Sequence, residues 1–122
     1  MSIKNQSNSL WQSEFISHHN HARLLQNLSV LIQNDTLTEM ARNHAYQCLS
    51  QNHLFHDRVP YHGGQNLLFG EGNLIPCSEK IVSYWLAEQA HRMILLSPLF
   101  YKIGVYFFLS KNDSLFVVAN YE

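Results

Sequence analysis

Two stretches near the end of the chain decide the fold: Tyr101-Lys-Ile-Gly-Val-Tyr-Phe-Phe-Leu109 and Leu115-Phe-Val-Val-Ala-Asn-Tyr121. The polar segment Ser110-Lys-Asn-Asp-Ser114 separates them, so the pair reads as a β-hairpin. Strand side chains alternate between faces. Ile103, Val105, Phe107 and Leu109 point one way; Gly104, Tyr106 and Phe108 point the other. In the second strand Leu115, Val117, Ala119 and Tyr121 oppose Phe116 and Val118. A hairpin with one wet face alternates apolar with polar residues. This one is apolar on both faces and needs cover on both.

The upstream segments supply that cover. Trp11, Phe15, Ile16, His19, Ala22 and Arg23 recur at helical spacing and predict a helix over about 11–25. Residues 1–10 are expected to be a flexible N-terminal segment. A second helix is expected to open at Thr36, which forms a capping box with Glu39. Leu37, Met40, Ala41, His44, Ala45, Cys48 and Leu49 mark its apolar face. Gln51 to Gly72 reads as one long polar loop with five glycine or proline residues, and loops of that length are usually functional. A third helix is expected after Pro76, with Ser78 as N-cap, and Pro98 ends it. Leu28–Ile32 is a candidate further strand. The architecture that follows is α+β: a single domain over 1–122, built as a three-layer α/β/α sandwich around an antiparallel sheet.

Composition agrees. A chain of 122 residues with 46% hydrophobic and 14% charged residues has enough apolar surface for one core. No apolar run approaches the roughly 20 residues that cross a bilayer, so no transmembrane segment is expected. A formal net charge of −1 argues against nucleic-acid binding. The start, Met1 to Ser9, has neither an apolar h-region nor a cleavage site. The expectation is an intracellular chain or one that begins after a removed signal. Cys48 and Cys77 are too few for a disulfide scaffold and are expected to be two thiols, with a single bridge between them as the alternative. The eight histidines equal Lys and Arg together, so charge changes steeply near pH 6–7.

Several histidines sit in patterns that carry chemistry. In Trp85-x-x-Glu88-x-x-His91 a spacing of three places Glu88 and His91 on one helix face, where they can grip a metal. A carboxylate with an imidazole suits zinc. The same spacing also fits an exposed Glu–His pair. His53, His56 and His62 in the long loop are candidate ligands or acid–base groups, or simply solvated. His44 reads as a core histidine. His18, His19 and His21 resemble a metal tract, but a helix spreads them around its axis. Gly63-Gly64-Gln65-Asn66 lacks phosphate-loop spacing and follows no clear strand.

The order of these pieces resembles the CAP superfamily of cysteine-rich secretory, antigen 5 and pathogenesis-related 1 proteins, and in particular its short bacterial members. The resemblance runs from about Phe15 to Tyr121. It rests on His19-Asn20-x-x-Arg23, on Asp35, Leu37 and Ala41, on His56, on Gly64-Gln65-Asn66, on Trp85 and Glu88, on His91-Arg92, and on Pro98, Phe100, Gly104 and Val105. It implies an α/β/α sandwich with a cavity formed by His56, Gln65, Glu88 and His91. By the same resemblance His56 and His91 are the metal ligands, and Zn²⁺ is the implied cofactor. Gln65 replaces the family's acid, which removes a charge and should lower metal affinity. Ala90 replaces a usual glycine, and His62 is the second choice for the loop histidine.

The function so implied is a binding or interaction module, for an unidentified protein or small hydrophobic ligand, with a His–Glu cavity for a divalent metal. One alternative is a metal-dependent hydrolase with Glu88 as catalytic base. Another is a scaffold with a degenerate site that binds protein or lipid. The family is mostly secreted.

Overall fold

A computed structural model describes residues 3–51, 55–56, 63–70, 77–110 and 114–122, with side chains from residue 8 onward. The hairpin forms as read. Strands β3 (Lys102–Leu109) and β4 (Leu115–Tyr121) pair antiparallel, with Ile103 opposite Tyr121 and Leu109 opposite Leu115. Every residue of β4 is buried. Cover on both faces follows from that pattern. Helix α2 (Asp35–Ser50) packs on one face. Helices α1 (Ile3–Leu25), α3 (Ser78–Ala87) and α4 (Gln89–Leu95) cover the other. Phe15, Trp85, Ile103, Val105, Phe107, Val117 and Tyr121 belong to the larger core cluster; Ala41, Ala45, Leu67 and Val118 form the smaller one under α2. Among the described residues no helix is long and apolar enough to cross a membrane.

The sheet has four strands in the order β1-β3-β4-β2, where β1 is Ile32–Gln33 and β2 is Gly64–Gly70. Two corrections follow. First, the sheet is mixed: β1 runs parallel to β3, while the other pairs are antiparallel. The candidate strand Leu28–Ile32 contributes its last residue and extends to Gln33. Second, the long loop contains a seven-residue strand, β2, paired with β4 along its whole length. Gln65 and Asn66 hid it, because buried amides break the apolar alternation by which a strand is read.

Three helix boundaries also differ from the periodicity. Helix α1 begins at Ile3, eight residues before Trp11, so most of the segment expected to be flexible is helical. Its first turns are polar, yet Asn8 is buried, and its amide brackets the backbone of Phe107, donating to the carbonyl and accepting from the N–H at 3.3 Å. Helix α2 is capped by Asn34, whose Oδ1 accepts from Leu37 N at 2.9 Å, and not by a Thr36–Glu39 box. Asn34 N also donates to Ile103 O at 2.9 Å, so this residue ends β1 and opens the helix at once. Cys77, not Ser78, occupies the N-cap of α3.

Strand β3 and helix α2 approach closely at Gly104. A Cβ there would lie 2.1 Å from Thr38 N and 2.2 Å from Leu37 C. Both are backbone atoms at the start of α2 and cannot swing aside. Gly104→Ala should therefore destabilise the protein by about 3 kcal/mol, the upper part of the usual overpacking range. Chemical denaturation should show a lower midpoint with an unchanged slope.

Candidate functional site

The site lies at β2, one of the two outer strands of the described sheet. Leu67, Leu68, Phe69 and Gly70 all line one cavity of about 520 Å³. Consecutive strand residues point to opposite faces, so a cavity touching all four runs along the strand's edge. Phe55, His56, Tyr84, Glu88 and His91 form its other walls.

His91 enters from the layer of α3 and α4. The expected single helix is broken at Glu88, whose backbone is extended (φ −106°, ψ 125°) and which serves as N-cap of α4. Glu88 and His91 are thus joined across a helix start, with Arg92 N donating to Glu88 O at 2.8 Å. The break turns α4 onto β2. His91 stacks on Trp85, with ring centroids 5.7 Å apart, and its Nδ1 lies 3.0 Å from Asn66 Oδ1. Its Nε2 lies 3.3 Å from Glu88 Oε1, and the carboxylate is about half exposed at 51%.

His56 enters from the α2 layer. Two groups on α2 anchor its segment at the neighbouring residue. His44 Nε2 donates to Phe55 O, and Cys48 Sγ lies 3.8 Å from the same oxygen. The His44 and Phe55 rings meet edge to face at 4.9 Å. The His56 side chain is set by Gln65, whose Oε1 lies 3.1 Å from His56 Nδ1. Gln65 is buried, and its Nε2 donates to Asn120 Oδ1 at 2.8 Å. Gln65 and Asn66 are adjacent in β2 and face opposite sides, so each holds one of the two histidines.

The other histidines have different fates. His19 is fully buried between Phe15 O (2.9 Å to Nδ1) and the Tyr121 hydroxyl (2.7 Å to Nε2). His18 is half-buried and His21 exposed on α1. His53 and His62 lie outside the described residues. Cys48 is buried and Cys77 exposed, and they form no disulfide. Among the described residues no group of three or more His, Cys, Asp and Glu side chains gathers closely enough to hold a metal ion.

The profile of the CAP, or cysteine-rich secretory protein, family matches residues 16–121. The chain belongs to the CAP family. Its fold is similar to that of an outer surface protein from Borrelia burgdorferi, with 18% identity and a TM-score of 0.77 over 99% of this chain and 94% of that one. It is similar to an extracellular protein containing an SCP domain from Bacillus anthracis, with 18% identity and a TM-score of 0.79, over 99% of this chain and 43% of that one. It is similar also to NaASP2, solved with Zn²⁺, at 16% identity and a TM-score of 0.74 over 89% of this chain and 77% of that one. No curated protein matches the sequence.

The CAP resemblance pointed to His56, Gln65, Glu88 and His91. His56, Glu88 and His91 line one cavity, while Gln65 supports His56 from behind. Asn120 was not foreseen, and Asn66 entered only as the last residue of the Gly64-Gln65-Asn66 motif, without a role. The usable signal was an amide in an otherwise apolar strand, because a buried amide must find partners. Phe55, Phe69 and Tyr84, which wall the cavity, carried no signal at all.

The buried His19 gives this CAP domain a pH dependence of its own. Burial lowers its pKa to about 4, outweighing the Phe15 carbonyl that raises it. The unfolded chain takes up this proton near pH 6.5, while the folded chain does so only near pH 4. Stability is therefore fully present above pH 6.5 and falls as pH drops toward 4. The loss is about 3 kcal/mol for a shift of this size. Unfolding free energies measured across that window should fall accordingly, and the slope should flatten in His19→Gln.

Proposed function

We propose that this CAP domain is a binding module whose cavity takes a divalent metal ion, with zinc as the best candidate. The observation that carries the reading is the 3.3 Å approach of His91 Nε2 to Glu88 Oε1, while His91 Nδ1 faces the Asn66 carbonyl oxygen. With Nδ1–H donating to Asn66, Nε2 presents a lone pair to a carboxylate. A cation between two acceptors at that distance, a proton or a metal, would bind them both. Donors about 2.0–2.1 Å from a tetrahedral centre stand roughly 3.3–3.4 Å apart, which matches zinc. His56, on the same cavity, is the other imidazole proposed as a ligand; it does not form a three-group cluster with Glu88 and His91, so binding would have to draw it in. Glu88 is then a direct ligand or a close acidic neighbour, and Gln65 orients His56. The zinc in the similar structure of NaASP2 supports the reading.

Bound zinc would act as a Lewis acid and draw an electron-pair donor into the cavity. Phe55, Leu68, Phe69 and Tyr84 supply apolar walls beside it. The combination suits a small hydrophobic ligand or a protein side chain with a polar end. A hydrolase on the same residues would need Glu88 as base. Turnover of peptides or esters that needs metal and vanishes in Glu88→Gln would establish it.

Calorimetry at about pH 7.5 should find one zinc site, weakened sharply by about pH 5.5 as imidazoles take up protons. His91→Ala should abolish binding; unchanged affinity in that variant would overturn the assignment. Gln65→Glu restores an acid behind His56 and should tighten zinc about tenfold, the lower end of outer-shell effects.

A further inference from the structure

The two cavity histidines are each backed by a side-chain amide, and each amide is fixed by a backbone carbonyl, directly for Asn66 and through Asn120 for Gln65. A carbonyl can only accept. That fixes which end of each amide is the donor, and so which ring nitrogen carries hydrogen.

On the His91 side, Asn66 Nδ2 donates to the carbonyl of His91 at 3.1 Å and to the Tyr121 hydroxyl at 3.4 Å. The Tyr121 hydroxyl can accept because its own hydrogen goes to His19 Nε2, the other nitrogen of His19 donating to Phe15 O. Asn66 Oδ1 is left as an acceptor, and the group in front of it is His91 Nδ1 at 3.0 Å. On the His56 side, Asn120 Nδ2 donates to Leu37 O at 3.4 Å. Its Oδ1 then accepts from Gln65 Nε2 at 2.8 Å, and Gln65 Oε1 accepts from His56 Nδ1 at 3.1 Å.

We infer that Asn66 and the Asn120–Gln65 pair are positioning residues that hold His91 and His56 in the Nδ1–H tautomer, so that both rings present an Nε2 lone pair to the cavity. This rests on the metal reading only for its use; the tautomers are argued from the hydrogen bonds and from the exposure of Glu88. Free histidine favours the opposite, Nε2–H form, so the assignment is not the default. At His91 the competing pull is Glu88, which would draw a hydrogen onto Nε2. Glu88 is about half exposed, so water screens it. Asn66 is fully buried, and turning its amide would strand polar atoms away from water. The buried partner wins.

The test is two-bond ¹H–¹⁵N NMR of the metal-free protein, at a pH above histidine titration, where the hydrogen-free ring nitrogen resonates well downfield of its partner. Wild-type His56 and His91 should both show a hydrogen-bearing Nδ1. Asn66→Leu should lose that signature at His91 and keep it at His56. Asn120→Leu should do the reverse. Asn66→Asp, which still accepts from Nδ1–H, should keep the His91 signature. A hydrogen-bearing Nε2 on either wild-type ring overturns the inference for that ring, whether or not the variants fold. Unchanged tautomers in both folded leucine variants overturn the positioning role. Zinc titration of the wild type is read separately: absent binding with Nδ1–H tautomers refutes the metal reading and leaves this inference standing.

Discussion

The fold hangs on a buried guanidinium. Arg23 is fully buried near the end of α1 and donates to the carbonyls of Ser29, Leu95, Ser97 and Phe100 at 2.8–3.1 Å. The bonds to these main-chain oxygens offset the loss of hydration that burying a charge entails. Burial lowers its pKa, but from so high a start that it stays protonated. The four carbonyls belong to the turn after α1, the end of α4 and the entry to β3. One side chain therefore sets how three segments meet. Around it, Leu28 N reaches back to Arg23 O and Asn27 N to Leu24 O, with Asn27 at φ 58°, which closes α1 and returns the chain toward β1.

Two neighbours on α1 extend this fixing. Asn20 accepts from Leu31 N at 2.7 Å and donates to Leu31 O at 3.1 Å, so its amide brackets one residue's backbone as a strand would. His19 bonds the Tyr121 hydroxyl at the end of β4. The family pattern His19-Asn20-x-x-Arg23 is thus a frame rather than a site. It holds α1 against β1, β4 and the approach to β3. Through Tyr121 it also touches Asn66, and through Asn66 it touches His91. Frame and cavity share one connected set of buried polar groups, which is stable when every member is satisfied.

Much of this was legible in the sequence, and what was not shares a cause. The hairpin's doubly apolar faces announced the sandwich. Helix α2 was visible because Leu37, Ala41, Ala45 and Cys48 repeat with the helical period. His44 was placed in the core, though its task of anchoring Phe55 was not; His19 was read as part of the helical repeat, and its bond to Tyr121 was hidden. Strand β2, the first turns of α1 and the cap at Asn34 were hidden, because the decisive residues there are amides: Gln65, Asn66, Asn8 and Asn34. An amide reads as solvent-facing until a partner distant in sequence is known. The break at Glu88 was hidden too, since helical spacing carries on across a single extended residue.

By itself the sequence determined the layers, the family and the identity of the cavity's acid and imidazoles. Local periodicity and ordered motifs suffice for these, because they depend on which residues recur and not on where they meet. Tertiary structure alone decided that the cavity runs along the edge of β2, with His56 reaching it from the α2 layer and His91 from the α3–α4 layer. It alone paired His56 with Gln65 and Asn120, and His91 with Asn66. The physical reason is that hydrogen-bond direction is a property of closed networks. Leu37 lies 83 residues from Asn120, and Asn66 lies 25 from His91. No pattern along the chain records which amide faces which carbonyl.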